Sequence, residues 1–369
     1  MNIVLGAESL EPPLTGIGQY TLNLLRALAA PGTDRVRYVH DLRLKPATAD
    51  LAEPTGQRSA ASRFWPRRAR QAADDLLTCR SGADIVHGTN YRLPRGGRYC
   101  VVTVHDLVRL RFAEFLPPHR RRAMAHEMET ALGAADLILT PSEAIRTELI
   151  AKGYRSATDV LSTPLGLNPG FRPRSAVEVA ETLAAHGLTY RGFTLVVGTI
   201  EPRKNLVRLI AAYRGLSPHL RRQYPLVLCG KPGWQAEASL AAISAARAEG
   251  WLHYWGYASA SDLHHLTAAA ALAVQASLYE GYCLPLLEAM ASGTPALAST
   301  DPALIELAGP AASLPALDPI GMGRRIEEAL VSGAPSLQES AVSPARASAR
   351  TWADCADRTR SAYSRLIRT

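Results

Sequence analysis

Aromatic side chains make up only 6% of the 369 residues, and no apolar run approaches the roughly 18 residues that a membrane-spanning helix needs. The five cysteines (Cys79, Cys100, Cys229, Cys283, Cys355) are scattered, odd in number and without metal-ligand spacing. That pattern excludes a zinc ribbon and a disulfide framework, and reduced thiols are expected. There is no Asp-x-Asp pair to hold a divalent ion. The chain opens on Ile3-Val4-Leu5 in place of a basic stretch followed by a long apolar one, so a secretion signal is not expected. What remains is 47% hydrophobic and 20% charged, the composition and length of a globular protein of two domains.

The formal charge of +8 invites an acidic partner. Clusters say more than the total. Arg58, Arg63, Arg67, Arg68 and Arg70 surround Phe64 and Trp65, and Arg109, Arg111, Arg120, Arg121 and Arg122 surround Phe112, Phe115 and Leu116. Basic residues interleaved with exposed aromatics suit an anionic membrane surface; a solvated face with its aromatics turned inward explains the same pattern. A nucleic-acid-binding protein would need a continuous basic stripe, and these clusters are short.

The most informative stretch is Tyr279-Glu280-Gly281-Tyr282-Cys283-Leu284-Pro285-Leu286-Leu287-Glu288, running on to Gly293. Leu272-Ala273-Val274-Gln275 before it has the apolar character of a buried parallel strand, and Ser277 to Tyr282 carries turn formers. Pro285 suits the first turn of a helix starting near Leu284, and Gly293 suits the left-handed residue beyond its end. Leu284, Leu287 and Ala291 are expected to form its packed face. Ala296-Leu297-Ala298 resumes a strand. Glu280 then sits at the carboxyl end of a strand, where open α/β sheets hold ligands, and Glu288 lies one turn into the helix. The helix start between them offers unpaired N–H groups to a diphosphate.

This Glu280-x7-Glu288 block closely resembles the signature of retaining, nucleotide-sugar-dependent glycosyltransferases of the GT-B fold, in glycosyltransferase family four. The resemblance implies two Rossmann-like parallel-sheet α/β domains facing across a cleft. It also implies that Glu280 meets hydroxyls of the donor sugar and Glu288 the nucleoside ribose, with Gly281, Tyr282, Cys283 and Leu284 lining the loop between. Two further strings carry it. Thr199-Ile200-Glu201-Pro202-Arg203-Lys204-Asn205 resembles the family's phosphate-binding loop, although many members carry an arginine where this chain has Thr199. Two cations ahead of a helix favour phosphate, so Arg203 and Lys204 are assigned to the diphosphate. Thr103-Val104-His105-Asp106-Leu107 resembles the segment whose histidine borders the donor sugar, which assigns His105 to the reaction centre; Asp106 either orients it or caps a turn.

Thr15-Gly16-Ile17-Gly18 precedes a helix through Leu22, Leu25 and Leu28 and lacks the third glycine of a dinucleotide fingerprint. By resemblance this first loop lies over the diphosphate, making Gly16 a candidate contact. His87, also near the end of a strand, reads as a packed core residue. The proline- and glycine-bearing stretch from Leu167 to Arg191, with a helix from Ala176 to Ala185, marks the boundary. Residues 1–170 form an acceptor-side domain, 171–350 a nucleotide-sugar domain, and 351–369 a helix that, by resemblance, crosses back onto the first.

The sequence therefore reads as a hexosyltransferase that moves a mannose- or rhamnose-type sugar, with retention and without a metal or other cofactor. The donor is a nucleoside diphosphate sugar, GDP-linked by the resemblance, and the acceptor a growing, lipid-linked surface polysaccharide. Cytoplasmic placement on the inner face of an anionic membrane is expected, with no nucleic acid bound. A nucleotide-sugar epimerase sharing the architecture stays open beside it, as, more remotely, does the nucleic-acid reading.

Overall fold

The computed structural model describes residues 1–12, 14–30, 34–53, 65–332 and 344–368, apart from the side chains of Arg67 and Ala113. The chain divides into two units. The first comprises Met1–Arg111, Arg120–Gly166 and Arg350–Thr369; the second comprises Phe112–His119 and Leu167–Ala349. The division thus falls four residues before the expected boundary at Gly170, and Phe112–His119, expected in the first domain, groups with the second.

The first unit is built on β1 (Asn2–Gly6), β2 (Arg35–His40), β3 (Arg43–Pro46), β4 (Ile85–Gly88), β5 (Tyr99–Thr103), β6 (Leu137–Thr140) and β7 (Val160–Ser162). They lie in the order β3-β2-β1-β4-β5-β6-β7, all parallel except the β2–β3 hairpin. Both hairpin strands escape the sequence reading: Arg35-Val36-Arg37-Tyr38 alternates charge with apolar residues, as a strand near an edge does. Helix Gly16–Leu28 starts at Thr15, whose hydroxyl accepts from Gly18, and buries Leu22, Leu25 and Leu28. On it packs the terminal helix Trp352–Arg368, whose Arg360 donates to the carbonyls of Ala27 and Leu28 and pairs with Asp34.

A buried polar chain runs through this core. Tyr20 meets the Thr103 hydroxyl at 2.8 Å, His87 meets the same hydroxyl through Nε2 at 2.7 Å, and His87 Nδ1 meets the Tyr363 hydroxyl at 2.6 Å. Burial, reinforced by His105, pushes His87 down to about 3, so it stays neutral, a packed core residue.

The second unit carries β8 (Thr194–Val197), β9 (Leu226–Cys229), β10 (Leu252–Gly256), β11 (Leu272–Gln275), β12 (Ala296–Ser299) and β13 (Ser313–Leu314), all parallel, in the order β10-β9-β8-β11-β12-β13. Helix Ala176–Ala184 starts with a reciprocal Ser175–Glu178 capping box and places Val179 and Leu183 in a core with Phe193, Leu195, Val227 and Leu266. The helix expected within the boundary stretch, Ala176 to Ala185, is present to within one residue and is integral to this unit. Helix Leu284–Ala291 differs from its expected one-sided packing: Leu286, Leu287, Ala289, Met290 and Ala291 are all buried and Leu284 only partly. Helices Pro302–Ala308 and Pro344–Ser348 cover sides that the sheet does not.

Of the two glycines before the first helix, Gly18 is the constrained one. A Cβ there would lie 2.8 Å from the Ser9 carbonyl oxygen and 3.1 Å from Leu14 Cδ2, whereas one on Gly16 would meet nothing within 4 Å. Gly18→Ala should therefore lose about 1–3 kcal/mol of stability by overpacking. Gly16→Ala should keep or gain up to about 1 kcal/mol through helix propensity. Denaturant melts of the two variants give the comparison; equal losses would contradict it.

Candidate active site

The strand order of the second unit reverses between β8 and β11. Chains leaving these neighbours pass to opposite faces of the sheet and open a crevice beyond their carboxyl ends. Two loops leave there, Gly198 to Asn205 after β8 and Ala276 to Cys283 after β11, and they carry the residues singled out in the sequence. Gly230 keeps this edge tight, since a Cβ on it would collide with the Gly198 carbonyl oxygen.

The structure brings Arg203, Lys204 and Glu280 into direct contact. Arg203 Nη1 lies 2.8 Å from Glu280 Oε2 and donates to the Tyr279 carbonyl at 3.2 Å, while Lys204 Nζ pairs with Glu280 Oε1. Glu280 is only 6% exposed. Burial alone would raise its carboxyl, but Lys204 and Arg203 outweigh burial and hold it down at about 2. It is ionised throughout the physiological range. Arg203 is shared: its Nε sits 2.6 Å from Glu201, itself buried. The cations expected to await phosphate are thus engaged by two carboxylates, and a diphosphate must compete with Glu280 and Glu201 for them.

Glu288 lies on helix Leu284–Ala291, half-buried, with no hydrogen-bond partner for its carboxyl among the described residues. Burial pushes it up to about 8. The two acids of the signature therefore differ in charge at neutral pH, one paired and ionised, the other largely protonated. Between them Cys283 adopts a left-handed backbone (φ 80°, ψ 75°) immediately before the helix, which for a residue with a Cβ costs on the order of 1–3 kcal/mol. The turn carries the chain from the Glu280 loop into the helix. Burial, then Glu280, pushes the Cys283 thiol up to about 12, so it is protonated and unsuited to nucleophilic attack.

Three supporting residues were missed in the sequence. Asn205, left-handed at φ 60° and buried, donates to the carbonyls of Ala276 (3.1 Å) and Ala316 (2.7 Å), which fixes the Arg203-Lys204 turn to the loop after β11. Glu201 steadies Arg203. Asp301 accepts from the backbone of Ala303 and Leu304 as the cap of the next helix, and from the backbone of Glu280. An Asp-Pro cap is legible in the sequence; its grip on Glu280 is not.

In the first unit, His105 is buried, its Nε2 lies 2.9 Å from the Thr89 carbonyl, and Tyr20 packs edge-on at 4.8 Å. Donation to that carbonyl places the proton on Nε2 and leaves Nδ1 without a protein partner among the described residues. Asp106 accepts from Tyr91 and from the Val108 N–H, so it caps the turn. Gly16 opens its helix with an exposed, unobstructed backbone. The expected inward or outward turn of the second basic cluster is also decided. Phe112 and Phe115 stack at 5.4 Å, Phe112 packs on Tyr279 at 4.7 Å, Leu116 is fully buried, and Arg109 and Arg111 pair with Glu127 and Glu148. Leu116 is thus withdrawn from the surface, while Phe112 and Phe115 are partly buried. In the first cluster Arg58, Arg63 and Phe64 lie outside the described residues.

Comparison with known proteins agrees with this geometry. Residues 14–165 match the family described as Glycosyltransferase Family 4, and residues 184–329 the family described as Glycosyl transferases group 1. The chain is 32% identical to O-antigen chain mannosyltransferase B of Escherichia coli over 388 aligned positions, covering 99% of this chain and 100% of that one. It is 28% identical to the serotype-specific mannosyltransferase WbdA of Escherichia coli, covering 82% of this chain and 39% of that longer protein. Among solved structures, Anabaena Alr3699/HepE, crystallised with UDP-glucose, superposes with a TM-score of 0.73 at 15% identity over 100% of both chains. The chain belongs to glycosyltransferase family four and has the GT-B fold, two parallel-sheet α/β domains. Membership in a transferase family sets the epimerase and nucleic-acid readings aside.

The raised Glu288 carboxyl has a pH signature. A carboxyl whose folded value exceeds its unfolded one, near 4.3, binds extra protons in the native state, so stability falls as pH rises from about 4.5 to about 8. Glu288→Gln removes that slope. In nucleotide-free protein the variant should melt above wild type at pH 8, the gap closing towards pH 4.5; parallel pH profiles would remove burial of this carboxyl as the cause.

Proposed function

We propose that the protein transfers a mannose-type hexose, with retention and without a metal, from a GDP-linked donor to a lipid-carried glycan. The observation that carries this reading is the Glu280 carboxylate, held ionised between Arg203 and Lys204 at the β8/β11 switch point beside a helix start. A fixed carboxylate accepts hydrogen bonds from sugar hydroxyls. The guanidinium, the ammonium and the helix N–H groups supply the positive charge that a departing diphosphate demands, the role a divalent ion plays elsewhere. Glu288 takes the ribose. The mannose assignment draws support from the names of the relatives, and the base from the family resemblance.

In this reading the acceptor oxygen bonds to the anomeric carbon from the face that the diphosphate leaves. The carbon–oxygen bond to phosphate breaks, the nucleoside diphosphate carries off the electron pair, and a phosphate oxygen takes the acceptor's proton. Glu280 positions the sugar and no side chain forms a covalent intermediate. His105 is assigned to the sugar by the resemblance of its string, its free Nδ1 serving as acceptor for a hydroxyl.

Transfer from GDP-mannose to a mannosylated lipid acceptor tests the reading. Activity should persist in excess EDTA, and Lys204→Ala and Arg203→Ala should each cost about 2–4 kcal/mol of transition-state stabilisation in folded protein. Loss on chelation restored by magnesium or manganese would overturn the metal-free mechanism; variants within twofold of wild type would overturn the site.

For the membrane, the first basic cluster is the surface that stays available. No described helix is long and apolar enough to cross a bilayer. Helix Arg67–Cys79 exposes Arg68, Ala72 and Leu76 on one face, with Trp65, 46% exposed, just before it. A tryptophan and a leucine beside arginines fit an anionic headgroup layer, each basic residue contributing about 1 kcal/mol. Co-sedimentation should occur with anionic but not neutral vesicles and should fall on Trp65→Ala with Arg68→Gln; equal binding to both vesicle types, or to neither, would remove the membrane role.

A further inference from the structure

The first unit has a cavity of about 220 Å³ that the transfer chemistry does not use, lined among others by Glu8, His40, Asp41, Arg70, Asp74 and Arg92. It opens beyond the carboxyl ends of β2, β1 and β4, next to the place where the strand order reverses between β1 and β4, and such positions in α/β sheets hold ligands. Its floor is the β2–β3 turn, where Asp41 and Leu42 are consecutive non-glycine residues in the left-handed region, at φ 54° and 61°. Hairpin turns of this form ordinarily use Asn-Gly or Asp-Gly. Keeping a leucine there costs on the order of 1–2 kcal/mol, and backbone strain of that kind concentrates at ligand sites.

The lining chemistry is selective. Carboxylates outnumber guanidinium groups two to one: Glu8, Glu11, Asp41 and Asp74 against Arg70 and Arg92. Arg92 is moreover engaged by Glu8 and Asp75 and by the Gln71 carbonyl. The Asp74 carboxyl accepts from the Leu42 backbone and faces Arg92 and Arg70, yet its Oδ1 is buried with no hydrogen-bond partner among the described residues, an acceptor that an incoming donor would satisfy. A phosphate only accepts hydrogen bonds and would face carboxylates. A sugar hydroxyl both donates and accepts and meets donors and acceptors on neighbouring walls.

We propose that this cavity is a subsite for one neutral hexose residue of the acceptor glycan, gripped through vicinal hydroxyls by Asp74 and Asp41 with the Arg70 guanidinium on the neighbouring wall, and closed to phosphorylated groups. The proposal rests on the glycan-acceptor reading above. It makes the enzyme read a sugar of the chain being extended in addition to the residue that reacts.

Saturation-transfer NMR of the full-length protein with α-linked mannotriose and with mannose 6-phosphate tests it. Asp74→Asn swaps one oxygen for an amide at constant shape, and Asp41→Asn suits the left-handed turn better than aspartate does, so both variants should fold. Mannotriose should bind wild type and lose at least about tenfold in affinity in each variant, mannose 6-phosphate should not bind, and the melting shift produced by GDP should be the same in all three proteins. Unchanged mannotriose binding in both variants, tighter binding of the phosphorylated sugar, or no mannotriose binding in protein that GDP still stabilises would each overturn the subsite while leaving the donor site standing. Failure of GDP to stabilise wild type would instead count against the donor reading.

Discussion

The second unit depends on one ionic contact, the Glu280 carboxylate between Arg203 and Lys204. A carboxylate this buried is costly unless it is paired and hydrogen-bonded, and its partners come from the other loop at the switch point. Each loop is therefore needed to hold the other. Asn205 stitches the cation turn to the carbonyls of Ala276 and Ala316, Asp301 grips the Glu280 backbone, and Cys283 takes a strained conformation that lets the chain turn into its helix. Because both cations already have carboxylate partners, the nucleotide-free site is close to electrically neutral. Any anion entering there would have to draw these cations away from Glu280 and Glu201.

The first unit treats its two strand-end histidines differently. His87 uses both ring nitrogens inside the core, linking the β5 hydroxyl Thr103 to Tyr363 on the terminal helix, and is silent chemically. His105 lies beyond the end of β5, where the backbone has left the sheet, and uses only one nitrogen on the Thr89 carbonyl. His87 lies opposite Val101 on β5 and His105 four residues further along, and that offset separates a structural imidazole from one with a ring nitrogen left over.

Charge shows how little a total conveys. The chain carries +8, yet the cavity of the first unit is acidic and the charges of the two loops at the β8/β11 switch point balance. Arg109 and Arg111 of the second basic cluster pair with Glu127 and Glu148, while Leu116 is buried and the partly buried Phe112 packs against Tyr279. Packing decides which basic residues of such a pattern are paired, as Arg109 and Arg111 are, and which stay exposed, as Arg68 does.

The sequence by itself determined the parallel strands, the start of the Glu288 helix at Leu284 with Pro285 inside it, the left-handed Gly293 and the family, because apolar runs, punctuating residues and ordered motifs are local properties of a chain. The β2–β3 hairpin stayed hidden, since the alternation of arginines with valine and tyrosine lasts only four residues, Arg35 to Tyr38, too few to mark a strand by periodicity. Which glycine of Gly16-x-Gly18 is obligatory, the opposite ionisation of Glu280 and Glu288, and the parts played by Glu201, Asn205 and Asp301 were decided only by the tertiary structure. Glu280 meets its cations and Asn205 its carbonyls across 70 or more positions of sequence, while Gly18 against Ser9, Glu201 against Arg203 and Asp301 against Glu280 are shorter-range contacts that only the folded backbone closes, and the two carboxyls differ in how much water the fold removes around them; none of this is written in the spacing of residues along one loop.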